Sequence, residues 1–107
     1  MSASATITTE VSGWPGVSAG AGRRGEFAFK VGRREIGHLH ADRVAHFGFP
    51  KGVWQELYDS GRIDYHPVFP GKKGWAARRI DDSEDVHDVI ALLRLNYDRV
   101  VGARDLV

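Results

Sequence analysis

The sequence predicts an α+β fold: a two-layer sandwich whose antiparallel sheet of about five strands carries helices on one face, in the order α-β-β-β-α-β-β-α. Three observations predict it. Glu26 to Val31 (EFAFKV) alternates apolar and polar residues at the two-residue period of a half-buried strand. Gly32-Arg33 follows with the glycine-first chemistry of a tight hairpin turn. Near the other end, Val86, Val89, Ile90, Leu93, Tyr97 and Val100 recur at spacings of three and four, which is one apolar helical stripe. A chain of 107 residues supports a single domain over 1–107, with 1–24 expected to be partly flexible.

Taken in order, Ile7 and Val11 mark a short first helix that must stop before Gly13 and Pro15. Gly16 to Gly25 is rich in Gly and Ala and reads as a surface loop. It lacks the Gly-Lys-Ser/Thr ending of a phosphate loop. Across a two-residue Gly32-Arg33 turn, Val31 faces Arg34, Phe29 faces Ile36 and Phe27 faces His38. Ile36, His38 and His40 then share the aromatic face. A three-residue turn would place Gly37 and Leu39 there instead, because a one-residue slip reverses every side chain.

A third strand, Val44 to Phe49, follows a turn near Ala41-Asp42-Arg43. A two-residue turn puts Ala45, Phe47 and Phe49 on the face of His38 and His40. A three-residue turn pairs His38 with His46 and His40 with Val44. Burial of Phe47 and Phe49 favours the first, the histidine pattern favours the second, and spacing leaves both open. Pro50 suits the first turn of a helix over Lys51 to Ser60, with Val53, Trp54 and Leu57 as its stripe and Gly61 as its stop. Arg62 to Phe69 reads as an edge or bulged strand interrupted by Pro67. Trp75 to Ile80 is the last strand. Asp82 or Ser83 caps the final helix, acidic residues fill its first turns, and Gly102 ends it.

Composition narrows the function. The net charge is +1, which argues against nucleic acid as a partner and leaves a small-molecule ligand as the expected one. With no cysteine, any metal must sit on His, Asp or Glu. No apolar run is long enough to span a bilayer, and MSASATITTE lacks the features of a secretion signal, so a cytoplasmic address is expected. Oligomeric state is not readable. No Gly-x-Ser-x-Gly elbow is present, and the Asp81-Asp82 and Glu84-Asp85 pairs are expected to serve helix capping.

The candidate site is EIGHLHADRVAHFGFP, Glu35 to Pro50. His38 and His40, two apart on a strand, project to one face, a spacing suited to holding a divalent metal. A third or fourth ligand is expected from His66 or His46, with His66 taken first and Glu35, Asp42 or Asp64 as carboxylate alternatives. Glu35, His38, His40, His46, His66 and Trp75 together are the expected ligand-binding residues. Three functions remain: a domain binding a small polar ligand or metal on a histidine-lined sheet face, an enzyme using His38 or His40 as base or metal ligand, and an interaction module built on basic pairs such as Lys72-Lys73 and Arg78-Arg79. The structural alternative has His38 and His40 hydrogen-bonded at the edge of the core and His46 facing solvent.

The order Glu35-Ile-Gly-His38-Leu-His40, then His46, a helix, His66-Pro67, Gly74-Trp75 and an amphipathic C-terminal helix resembles the luciferase-domain family of bacteria and fungi. The likeness runs from about Gly16 to Val100. It implies a two-layer fold and puts Glu35, His38, His40, His46 and His66 at the family's polar positions, without implying a particular reaction. Light emission fits poorly, because the chain has no recognisable flavin or nucleotide motif with which to hold a large substrate. A slighter likeness, through Trp14-Pro15-Gly16, Gly74-Trp75 and the closing helix, is to MmcQ/YjbR-like domains, which would imply a similar compact architecture and nucleic-acid binding.

Overall fold

The structure, a computed structural model, describes residues 1–105, with side chains placed through 103. Its elements are α1 (Ala3–Ser12), β1 (Val17–Ala21), β2 (Phe27–Val31), β3 (Arg34–His40), β4 (Val44–Gly48), α2 (Lys51–Asp59), β5 (Asp64–Tyr65), β6 (Trp75–Arg79) and α3 (Ser83–Asp105). The six strands form one sheet in the order β1-β2-β3-β4-β6-β5, and every neighbouring pair is antiparallel. The α+β sandwich is therefore the fold, with one strand more than expected. The addition is β1, cut from the Gly/Ala-rich segment read as a loop. Its small, largely exposed residues show no apolar alternation, and it is held by its ladder to β2 from Val17↔Val31 to Ala21↔Phe27.

Two other boundaries moved. The strand expected over Arg62 to Phe69 is reduced to Asp64–Tyr65, with Pro67 beyond it. The last helix runs through Gly102 to Asp105, and Asp82 Oδ1 caps it by accepting from the Asp85 N–H at 2.9 Å.

The register of β3 decides which side chains meet. Val31 pairs with Arg34 and Lys30 with Glu35, as the two-residue turn requires, and Gly32 supplies the left-handed backbone at φ 63°. Then Phe29 pairs with Gly37, not Ile36, and Phe27 with Leu39, not His38. Ile36 is the extra residue of a β-bulge, which shifts the pairing by one and reverses the faces beyond it. The expectation that Ile36, His38 and His40 would share the aromatic face is thus overturned past Ile36. Gly37 and Leu39 take that face, and His38 turns to the other side. At the next turn, His38 pairs with His46 and His40 with Val44, the three-residue alternative.

The core lies between the helices and one face of the sheet. Phe29, Leu39, Phe47 and Ala76 belong to one buried cluster with Val89, Leu92 and Leu93 of α3, Trp54 and Leu57 of α2, and Ile7 and Val11 of α1. Gly37 permits a close approach of α3, since an added Cβ there would sit 2.6 Å from Leu93 Cδ2 and 3.1 Å from Phe47 Cδ1. Asn96 is the buried polar residue on the α3 side, 1% exposed. Its amide donates to the Ile36 carbonyl at 3.1 Å and to the Gly48 carbonyl at 2.9 Å. A bulge leaves backbone groups unpaired. Here α3 reaches down to satisfy one of them.

A candidate metal centre on the open face of the sheet

The face without helices carries the histidines. Cross-strand partners stand side by side on one face, so Ala28, His38, His46, Ala77 and Asp64 form a row across β2, β3, β4, β6 and β5. His40, Val44 and Arg79 form the next row. On the other side of the histidine row stand Gly48 and Trp75, with His66 just beyond the end of β5. Ala28, Ala77 and Gly48 are small, so the imidazoles meet each other rather than bulky neighbours. Ring centroids are 5.2 Å apart for His38 and His46, 4.6 Å for His40 and His46, 5.0 Å for His38 and His40, and 4.0 Å for His46 and His66.

Three of these rings converge further. His38, His40 and His46 each offer a ring nitrogen, and the three atoms lie within 4.8 Å of one another. The set has His46 where the sequence pointed to His66. His66 lies beside this set: its Nδ1 accepts the Val68 N–H at 3.1 Å, so a neutral His66 carries its proton on Nε2 and presents a donor there. His66 packs against the trio as a wall, 9% exposed.

His38 is oriented from behind. Its Nδ1 lies 2.8 Å from Glu35 Oε2, so the carboxylate accepts the Nδ1 proton and leaves the Nε2 lone pair free for a ligand. Residues three apart on a regular strand lie on opposite faces. The Ile36 bulge removes that obstacle, since Glu35 pairs with Lys30 and His38 with Ala28, two positions on the same face of β2. The bulge is what lets Glu35 reach His38.

His46 is the most confined member. It is 6% exposed, and neither ring nitrogen has a hydrogen-bond partner. Burial first, then the neighbouring His66, His40 and His38, hold its pKa down to about 3 from the usual 6.5. Burial also lowers the pKa of His66, with His38 and His40 adding to the shift. His46 is therefore neutral at physiological pH, the form that binds a metal.

Trp75, 44% exposed, stands on the same face with its ring 5.3 Å from Phe69. All six expected ligand-binding residues are thus on or beside one face. The fifth histidine, His87, belongs to α3 and takes no part. The basic pair Arg78-Arg79 is split between the two faces: Arg79 is beside the histidines, while Arg78 is tied to Asp85 and Asp88. Sequence reasoning missed Asn96 and Arg43, and it set Arg79 only among the basic pairs of an interaction module. For Asn96 a signal existed, because it falls three residues after Leu93 in an otherwise apolar stripe.

Fold and site together define a small α+β domain with a polyhistidine centre on the uncovered face of its sheet. The chain belongs to the Luciferase domain family, whose model matches residues 33–96. That span contains Glu35, His38, His40, His46, His66 and Trp75 and ends on Asn96. No curated protein and no solved structure matches the chain. Among the described residues no helix is long and apolar enough to cross a membrane.

Proposed function

We propose that the domain binds a divalent transition-metal ion, with zinc the best fit, through His38, His40 and His46, and holds a small polar ligand at the metal's remaining position. The observation that carries this reading is the convergence of three ring nitrogens, one set from a histidine whose buried nitrogens have no other partner. As plain structural groups they would leave His46 unsatisfied, which costs about 1–3 kcal/mol. Coordination removes part of that cost. Zinc takes imidazole nitrogen at about 2.0–2.1 Å, so tetrahedral ligand atoms stand about 3.4 Å apart, within reach of small side-chain rotations from the present spacing. The Glu35–His38 pair supplies the carboxylate that commonly orients a metal-bound histidine. Three histidines leave a fourth position open, as in sites that hold water or a ligand. The enzyme alternative uses the same centre with a substrate in that position.

Titration of the full chain with Co²⁺, followed by visible absorption and calorimetry, tests the reading. One ion per chain is expected, with His38→Ala, His40→Ala or His46→Ala removing the spectrum. Glu35→Gln is expected to weaken binding by roughly 10–100-fold, the usual effect of losing an outer-shell partner. Absence of stoichiometric binding, or binding indifferent to His40 and His46, overturns it.

A further inference from the structure

Beside the trio, at the end of the sheet where β3, β4 and β6 meet their turns, lies a cleft of about 610 Å³ lined by His40, Arg43, Val44, Arg79, Ile80 and Asp81. We propose that this cleft is an oxyanion subsite in which Arg43 and Arg79 hold the phosphate or carboxylate group of the ligand that reaches the metal. The proposal rests on the metal reading above and adds the chemical class of the ligand.

The placement follows from the ladder. His40, Val44 and Arg79 are direct partners across three adjacent strands. Strands lie about 4.8 Å apart, so the backbones of His40 and Arg79 are separated by about 10 Å, a span that the long arginine side chain can partly close. Arg43 is fixed at the same end, because its carbonyl accepts the Ile80 N–H at 2.9 Å and ties the turn before β4 to the end of β6. One metal-site histidine and two arginines therefore border one concavity.

The charges there are largely uncommitted. Among the described residues, no carboxylate pairs with Arg43. Its neighbour Asp42 is occupied elsewhere, accepting the Ser4 N–H at 2.8 Å. Arg79 has a single, exposed pairing with Asp81 at 3.6 Å. Exposed pairs of this kind are weak and exchange readily. Arg78, by contrast, is held by both Asp85 and Asp88. A guanidinium presents paired N–H donors that match the oxygens of phosphate or carboxylate, so one without a carboxylate partner and one weakly paired, beside the metal site, select an anion rather than a neutral ligand. Asp81 is the opposing charge in the cleft, and an arriving anion must take Arg79 from it. Anion affinity is thereby held down in the resting protein.

The test uses the full chain, Co²⁺-loaded and metal-free, with inorganic phosphate and acetate as probes. Either probe is expected to alter the visible Co²⁺ bands, and the tighter of the two identifies the anionic group. Arg43→Gln and Arg79→Gln are each expected to weaken anion binding by about tenfold, as loss of a charge-assisted contact does. Co²⁺ affinity should stay within about twofold in both variants, since neither arginine is a metal ligand. Asp81→Asn should tighten the anion. Metal-free protein separates the two hypotheses: anion-dependent amide shifts at Arg43, Arg79 and Asp81 support the subsite even if no metal binds. Normal Co²⁺ binding with spectra and amide resonances that ignore both anions, or anion binding unaffected by either Arg→Gln change, overturns the subsite and leaves the metal centre standing.

Discussion

Replacing His46 with phenylalanine is expected to abolish metal binding and, at the same time, to raise the stability of the metal-free domain. The two effects share one cause. The imidazole is buried among His38, His40 and His66 with both nitrogens unpartnered, an arrangement that costs about 1–3 kcal/mol in the absence of a ligand. A phenyl ring keeps an aromatic body in the same place and removes the unsatisfied atoms. For a domain near this size each kcal/mol corresponds to roughly 4–8 °C in melting temperature, so the gain is measurable by calorimetry at pH 7.

The pH profile gives a second readout. His46 has its folded pKa lowered to about 3, against 6.5 for the unfolded chain. Between those values the unfolded state takes up the proton while the folded state does not. Stability of the metal-free protein must therefore fall as pH drops through that window, by up to ~1.4 kcal/mol per pH unit from this group. The lowered pKa of His66 acts in the same direction. His46→Phe should flatten the profile by the share due to His46. A variant that melts below the metal-free parent at pH 7, or keeps the parent's full slope, would show that the ring nitrogens are satisfied in solution and that the site is an ordinary polar cluster.

The α+β architecture was legible because it depends on periodicity: EFAFKV, the Val86 to Val100 stripe and the helix ending at Gly61 each state their element locally. The site was legible in residue type but not in geometry. Burial of Phe47 and Phe49 and the clustering of His38, His40 and His46 looked like competing demands, since each favoured a different turn at Asp42. Both are met, because the aromatics and histidines of β4 lie on opposite faces and the bulge at Ile36 turns His38 to match. A bulge has no periodic signature, and the residue that completes it, Asn96, is distant in sequence. β1 was missed for a related reason: an edge strand of small exposed residues is specified by its neighbour's free backbone rather than by its own side chains. The backbone N–H of Val68 that occupies His66 Nδ1 is likewise a contact that no spacing rule reveals.

Asn96→Leu is expected to be costly in two separable ways. Leucine keeps the apolar volume on α3 but donates nothing to the Ile36 and Gly48 carbonyls. Leaving those two groups unpaired should cost about 2–4 kcal/mol, a fall of at least ~8 °C in melting temperature. The second effect runs through the sheet. The bulge closed by Asn96 is what puts Glu35 and His38 on the same face, so loosening it should misalign the 2.8 Å pair and weaken Co²⁺ binding by about tenfold, toward the level of Glu35→Gln. A double-mutant cycle distinguishes this path from general damage. In a Glu35→Gln background the metal-affinity penalty of Asn96→Leu should largely vanish while its stability penalty remains. An affinity loss of equal size in both backgrounds would mean that Asn96 supports the fold alone, and that the carboxylate finds His38 without help from α3.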